Sequence, residues 1–504
     1  MTDKAQAAKV SGPGTKTLTA ATLGFMTAAT VVTSLRGLPM MAQEELTMFF
    51  YIGFATFLFL IPAGLVAAEL GGAFADRTGG VYTWMGEAFS PKWGFVSIWL
   101  QWIQNVVWYP TGLSFAAAAI AYAIGLPNLA ESNTFVGLFC IILYWVATLV
   151  ALSGTDFLAK VTKMGFLLGT LVPGVILMLL AVWWAMDGNA IGWETTTDPA
   201  VTVTEAGGKN HPRWFPHVAG LGSLAFLGGI LLNFAGVEAQ GTHAAEMRNP
   251  KRDYPLAILL AALLSFAIFT LGALALAAIL PYSDITLQSG LFVTFERAFQ
   301  QLMGIGWPVN LISILVCYGA VGGALAWLAG PSRGLLATAQ DGMLPPWLQR
   351  TNAKGMQRNI LLVQGLIVTL ISSIYFVIKD VSTAFFLISA MTVTLYIIMY
   401  LLLYAAVIRL RSTQPDLPRS FSIPGGKMGL WLVAGIGFLA VAFAFVVSFF
   451  PPDQLPVGSP AMYVALVAGG AVVFTALPLL IYALRKPGWK AGGEHGHKSF
   501  HKEG

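Results

Sequence analysis

Apolar residues recur along this chain in runs long enough to cross a bilayer as α-helices, which takes about 20 residues each, and only short polar loops divide most of them. The pattern predicts spans near residues 18–42, 48–74, 93–124, 134–154, 160–186, 217–247, 253–281, 307–342, 358–378, 382–409, 428–450 and 459–484. The expected fold is therefore an all-α membrane protein of twelve transmembrane helices, with no separate soluble domain. One longer segment, 187–216, carries Asp187, Glu194, Asp198 and Glu205 among Thr, Pro and Gly, and reads as an irregular cap on the outer side. On the other side, the run from Asp76 to Trp84 reads as an interfacial segment or an anchored turn before the third span.

Two spans carry interruptions. Pro39 is expected to close the first after Thr33-Ser34-Leu35-Arg36-Gly37-Leu38, and Gly236 and Gly241, with Asn233 beside them, loosen the sixth. These spans head successive groups of five that start on opposite sides of the membrane, the arrangement of an inverted repeat. The predicted organisation is a tail over 1–17, a twelve-span domain over 18–484 and a basic tail over 485–504. Within the domain, the repeats cover about 18–186 and 217–409, followed by two final spans over about 428–484. Unwound backbone at the first and sixth spans would leave N–H and C=O groups free near the midplane, where a cargo could meet them.

Composition supports the membrane reading: 57% of residues are hydrophobic and 10% charged, against about a quarter charged in a soluble domain. Lys4, Lys9 and Lys16 precede a long first apolar run without a small-residue cleavage site, so no cleaved signal peptide is expected. Cys140 and Cys317 both fall inside spans, as reduced and packed thiols would, and form no metal motif. Of the 28 Lys and Arg, only Lys209, Arg213, Arg297 and Lys379 fall on outer segments and Arg36 lies within a span, leaving 23 on the other side. That asymmetry predicts two cytoplasmic termini and accounts for the net charge of +5 without a nucleic-acid partner.

Three ionised residues sit well inside spans, away from terminal turns and polar closes: Arg36, Glu69 near the end of the second, and Glu238. A charge at the bilayer centre costs about 2.5–3.5 kcal/mol on insertion scales, so each needs a partner or a wet cavity. Two readings of Arg36 and Glu238 stand side by side. They form a structural ion pair, or Arg36 meets a substrate carboxylate while Glu238 receives an amino group or a proton. Glu69, at the end of the second span, suits packing or gating. His243 lies about 140° round a regular helix from Glu238 and reads either as hydrogen-bonded packing or as a proton relay. With Glu246 it is too sparse for a metal site. Tyr396, Tyr400 and Tyr404 line one face of the tenth span, and Trp327 precedes the polar close Gly330-Pro-Ser-Arg333-Gly of the eighth. No nucleophile elbow, phosphate loop or zinc helix is visible, so neither catalysis nor a cofactor is expected.

The stretch Gly236-Val-Glu238-Ala with Thr242-His243, then Glu246-Met-x-Asn249-Pro-x-Arg252-Asp-Tyr-Pro255, Gly330-Pro-Ser-Arg333-Gly and Ser422-Ile-Pro-Gly-Gly-Lys427 resemble the amino acid-polyamine-organocation superfamily. Within it, the likeness over most of the chain is to the glutamate/GABA antiporter family of bacterial acid resistance. The resemblance implies alternating access in a bacterial inner membrane and exchange of an external amino acid for its decarboxylated amine. It places Glu238, Trp327, Tyr396 and Tyr400 along the cargo path. With the first break added, the expected substrate contacts are Leu35, Arg36, Gly37, Gly236, Glu238, Trp327, Tyr396 and Tyr400. Glu238, His243 and Glu69 are the residues expected to couple protons or gate. A proton-coupled importer of the same fold and a membrane receptor or sensor stand as alternatives.

The chain also departs from that family. Leu35-Arg36-Gly37-Leu38-Pro39 stands where the glutamate exchangers carry Tyr-Glu-Tyr-Pro, and their acidic residue in the eighth span aligns with Gly323. The family's long C-terminal tail, which resembles a pH-released plug, is shortened here to a basic segment holding His495, His497 and His501. That segment reads as a pH-sensitive element or as a plain positive-inside tail.

Overall fold

The computed structural model describes residues 19–74, 77, 79–204, 210–241, 247, 249–453 and 459–491. Ten helices among them are long and apolar enough to cross a membrane: Glu45–Ala73, Pro91–Ala123, Asn133–Leu152, Lys160–Met186, Lys251–Ile279, Pro308–Met343, Arg358–Val377, Val381–Thr413, Gly426–Val447 and Pro460–Ala483. Their bounds follow local chemistry. Proline stands in the first turn of Pro91–Ala123, Pro308–Thr338 and Pro460–Ala483, where a missing N–H costs no hydrogen bond. Ser132 and Asp380 cap two other starts with side-chain oxygens, and Ser459 caps Pro460–Ala483 in the same way.

Two further apolar helices, Ala20–Val31 and Leu221–Asn233, are shorter. These are the first and sixth elements of the hydropathy pattern, and each stops short of a full crossing. After Ala20–Val31 the backbone leaves the helix over residues 32–34, with Ser34 extended at φ −163° and ψ 170°. It then re-forms as a tight turn, Leu35–Gly37, and a short helix, Leu38–Ala42. The break thus precedes the expected position, and Pro39 opens the second half where it was expected to close the first. Its ring fits the first turn of a helix and not the interior. In the sixth element the helix Phe226–Asn233 ends at an irregular stretch, 234–237, before Glu238–Gly241.

Burial sorts the helices by position. Pro91–Ala123 and Val381–Thr413 are each 83% buried over their apolar window, whereas Pro460–Ala483 is only 17% buried. The first two form the centre, packed on each other, with Pro308–Thr338 against the third-span helix. Peripheral helices turn apolar stripes outward, as in Leu138, Ile142, Val146 and Leu149 at helical spacing, the surface a lipid tail would cover.

The expected interfacial run near Trp84 is instead a buried helix, Val81–Ala88, wedged against both central helices. Its aromatic side chains, Tyr82 and Trp84, are 1% exposed, so they pack inside the bundle. The expected irregular cap contains a short helix, Gly192–Thr195, and an antiparallel ribbon pairing Thr202–Thr204 with Asn210–Pro212. The start of the last tail is also ordered: a turn at Pro487–Trp489 lies on the end of the eighth span, where the Ala491 N–H donates to the Gln340 carbonyl at 3.0 Å. His495, His497 and His501 lie outside the described residues.

The fifth and eighth spans meet along glycines. A Cβ on Gly169 would stand 2.3 Å from the Gly319 nitrogen and the Leu315 carbonyl, and one on Gly165 would stand 3.0 Å from the Tyr318 carbonyl. Only glycine permits such backbone approach between membrane helices. A π-helical turn, Leu167–Leu171, sits at the same level.

Candidate functional site

The two interruptions face one cavity. The first element lines it with Thr30, Val31, Thr33, Ser34 and Arg36, and the sixth with Leu232, Asn233 and Ala235. Gln104, Asn105 and Trp108 of the third span, Trp327 of the eighth and Tyr396 of the tenth complete the wall. Extended backbone at Ser34 turns the chain, and the Ser34 hydroxyl accepts a bond of 3.4 Å from the Arg36 N–H, so the Arg36 side chain leaves the turn at the cavity.

Arg36 is 6% exposed. Its guanidinium donates to Thr111 Oγ1 at 3.5 Å and to Asn233 Oδ1 at 3.4 Å, both at the long limit of a hydrogen bond. The rings of Trp108 and Phe385 lie 5.5 and 5.4 Å from its Cζ, within cation–π range. Among the described residues no carboxylate pairs with it. The structural ion pair with Glu238, one of the two readings of the sequence, is therefore not formed.

Glu238 is engaged elsewhere. Oε1 accepts from Gln101 Nε2 at 2.9 Å and from the Tyr396 hydroxyl at 2.5 Å, and the Tyr400 hydroxyl donates to Oε2. Tyr400 in turn accepts the Gly236 N–H at 2.9 Å, one of the backbone groups released by the sixth-span interruption. Glu238 is thus the junction of the third, sixth and tenth spans and lies behind Tyr396, outside the cavity lining. The tyrosine row of the sequence is real, but its third member departs: the Tyr404 hydroxyl donates to the Phe59 carbonyl at 3.3 Å.

The other expected residues take supporting places. Leu35 packs toward Gly174, and a Cβ on Gly37 would meet the Asn233 amide at 2.4 Å. Gly236 lies under the Trp327 ring. Glu69 does not reach the cavity. It is 1% exposed and binds Arg411 through both oxygens, Arg419 at 3.4 Å and the Ile423 N–H at 2.8 Å, tying the loop after the tenth span to the end of the second. His243 lies outside the described residues. Gly323, the position of the family's acidic residue, presses on the Thr33 carbonyl, which a Cβ there would approach to 2.9 Å.

Sequence reading passed over the third-span wall and the Glu44–Glu45 pair. Gln101, Gln104 and Asn105 stand at i, i+3 and i+4 in an otherwise apolar run, one polar face within a span, and that was the available signal. Asn105 Nδ2 donates to the Trp327 carbonyl at 2.8 Å and so fixes two walls together. Glu44 follows the first span, 4% exposed, with Thr47 donating to it at 3.0 Å, and burial pushes its carboxyl up to about 8.

Gly236 itself gives a direct test. Its φ of +108° lies where side chains rarely fit, and an added Cβ would meet the Trp327 ring at 2.6 Å. Gly236→Ala is expected to cost more than about 1 kcal/mol and to lower uptake in liposomes sharply. Gly435→Ala, whose new methyl meets nothing within 4 Å beyond its chain neighbours and its own helix backbone, is expected to leave uptake unchanged and not to lower melting.

Comparison with known proteins agrees with this architecture. The family described as amino acid permease matches residues 14–473. The uncharacterized transporter lpg1691 of Legionella pneumophila is 35% identical over 451 residues, 89% of this chain and 93% of that protein. A glutamate/gamma-aminobutyrate antiporter of Lactococcus lactis is 30% identical over 467 residues, 91% and 89% of the two chains. A probable agmatine/putrescine antiporter of the same organism is 25% identical, covering 84% and 85%. With a match over nearly its whole length and a multi-pass helical fold closing on one polar cavity, the chain belongs to the amino acid permease family of the amino acid-polyamine-organocation superfamily, and is an amino-acid transporter, not an enzyme.

Proposed function

We propose that the protein is an amino-acid antiporter of the glutamate/GABA type, working by alternating access. The observation that carries this reading is the cavity between the two interrupted helices, which holds a guanidinium with no carboxylate partner among the described residues. In this reading Ala20–Val31 and Leu221–Asn233 each continue past their interruption to complete a crossing, making twelve spans in two inverted repeats of five plus two. The charge asymmetry supports two cytoplasmic termini, and relatives described as inner membrane transporters support a bacterial inner membrane. The relatives that exchange glutamate for gamma-aminobutyrate support the chemistry, an amino acid entering as its decarboxylated amine leaves.

Counterflow tests it. Proteoliposomes preloaded with unlabelled glutamate or GABA are expected to take up labelled glutamate several-fold faster than empty ones. Uptake that ignores the internal load but follows an imposed proton gradient would replace the exchanger by a proton-coupled importer of the same fold.

A further inference from the structure

We propose that Arg36 is the binding partner of a carboxylate present on every cargo, so that the protein refuses amines lacking one. The inference rests on the amino-acid transport proposed above and names the chemistry its site selects.

The argument starts from an unmet demand. A guanidinium presents five N–H donors in a plane, and Arg36 uses two of them on neutral oxygens at 3.4 and 3.5 Å. Rings on two sides soften its charge but accept no proton. A buried cation in such a setting calls for an anion with good geometry, and the planar fork matches a carboxylate through two parallel bonds. Glu238 is not that anion, because three donors from the third and tenth spans already converge on it. Asn233 cannot turn away, since its Nδ2 donates to the Gly229 carbonyl at 2.8 Å and its Oδ1 is thereby directed to Arg36. Among the described residues no carboxylate meets the guanidinium at the cavity wall, and we assign that place to a group arriving from outside the protein.

This fixes the exchange pair by class. The unloaded cavity carries the positive charge of Arg36, so a diamine would add like charges to it, whereas an amino acid neutralises the guanidinium with its carboxylate. An α-decarboxylation breaks the bond to one carboxylate, releases CO2 and places a proton on the α-carbon. For the product still to satisfy Arg36, the amino acid must begin with two carboxylates. Agmatine and putrescine, the cargoes in the name of one relative, bear no carboxylate and are excluded.

The experiment uses the full chain, wild type and Arg36→Gln, in proteoliposomes and in detergent. Labelled glutamate, GABA and putrescine are offered for counterflow, and the same compounds and glutamate diamide are offered for ligand-induced thermal protection. Wild type is expected to exchange and be protected by glutamate and GABA, but by neither putrescine nor the diamide. Arg36→Gln is expected to raise the half-saturating concentration by about tenfold to a hundredfold through loss of charge-assisted bonds, and Arg36→Lys to recover part. Unchanged half-saturation in Arg36→Gln, or equal use of putrescine by wild type, would overturn the proposal. So would protection by chloride alone that vanishes in Arg36→Gln, since an inorganic ion would then be the partner. Protection by glutamate without counterflow would leave Arg36's role standing and remove the exchanger reading. If Arg36→Gln does not fold, the wild-type comparison of acids with diamide and diamine decides alone.

Discussion

Glu238→Gln is expected to reduce counterflow by about tenfold or more and to lower the melting temperature. The carboxylate accepts bonds from Gln101, Tyr396 and Tyr400, and no single neutral group can accept them all at both positions. A carboxamide keeps one acceptor oxygen but turns an NH2 toward a hydroxyl that was donating. Hydrogen bonds to a charged group contribute about 1.5–3 kcal/mol, and the loss here spreads to the Gly236 N–H through Tyr400. The decisive comparison is with Tyr396→Phe, which removes one donor yet leaves the carboxylate and its other two partners. Its effect should be smaller on melting, and initial uptake rates with thermal unfolding of the same preparations measure both. Normal flux in Glu238→Gln would show that the junction is only packing.

The second large effect is expected at Glu69, and on stability instead of cargo affinity. Glu69→Ala leaves Arg411 and Arg419 facing each other without their shared carboxylate, with the Arg419 side chain 7% exposed. Removing one member of a buried pair costs about 3–5 kcal/mol. Unfolding in detergent should shift to markedly lower temperature, while the surviving protein keeps its half-saturating concentration because Glu69 does not touch the cavity. Adding Arg411→Met to Glu69→Leu should recover part of the loss. A changed half-saturation with unchanged melting would instead make Glu69 part of the cargo path.

Hydropathy alone located the long helices to within a few residues, since a bilayer demands an apolar run and admits no unpaired backbone facing lipid. Reading by residue type marked the first and sixth spans as interrupted, because Gly236 and the polar run near Arg36 are costly in a regular membrane helix, although the first break lies earlier than expected, at 32–34. What it misread was order within the first break: Pro39 looks like a terminator by its rarity, yet its position in the first turn of Leu38–Ala42 makes it an initiator. Charge neutrality made an Arg36–Glu238 pair reasonable on paper. The tyrosines that occupy Glu238 come from 158 and 162 residues further along the chain, a relation no local pattern carries. The third-span amides were visible as an anomaly but had no partner to interpret them, since Asn105 meets the Trp327 carbonyl 222 residues away.

The glycine contact between the fifth and eighth spans has a mechanical consequence. Interlocked side chains resist translation, because each knob must climb out of its hole before the helices can slip. Where Gly165 and Gly169 meet Gly319 and Gly322, the nearest atoms across the contact are backbone, and a single side-chain bond at its edge, from the Thr162 hydroxyl to the Gly322 carbonyl at 3.2 Å, would have to yield. Such a contact has little corrugation along its axis, and small sliding between packed helices is one of the few ways a dense interior can change shape. The eighth span, which carries Trp327 over the cavity and presses Gly323 against the first-span interruption, is thus mounted on a smooth bearing.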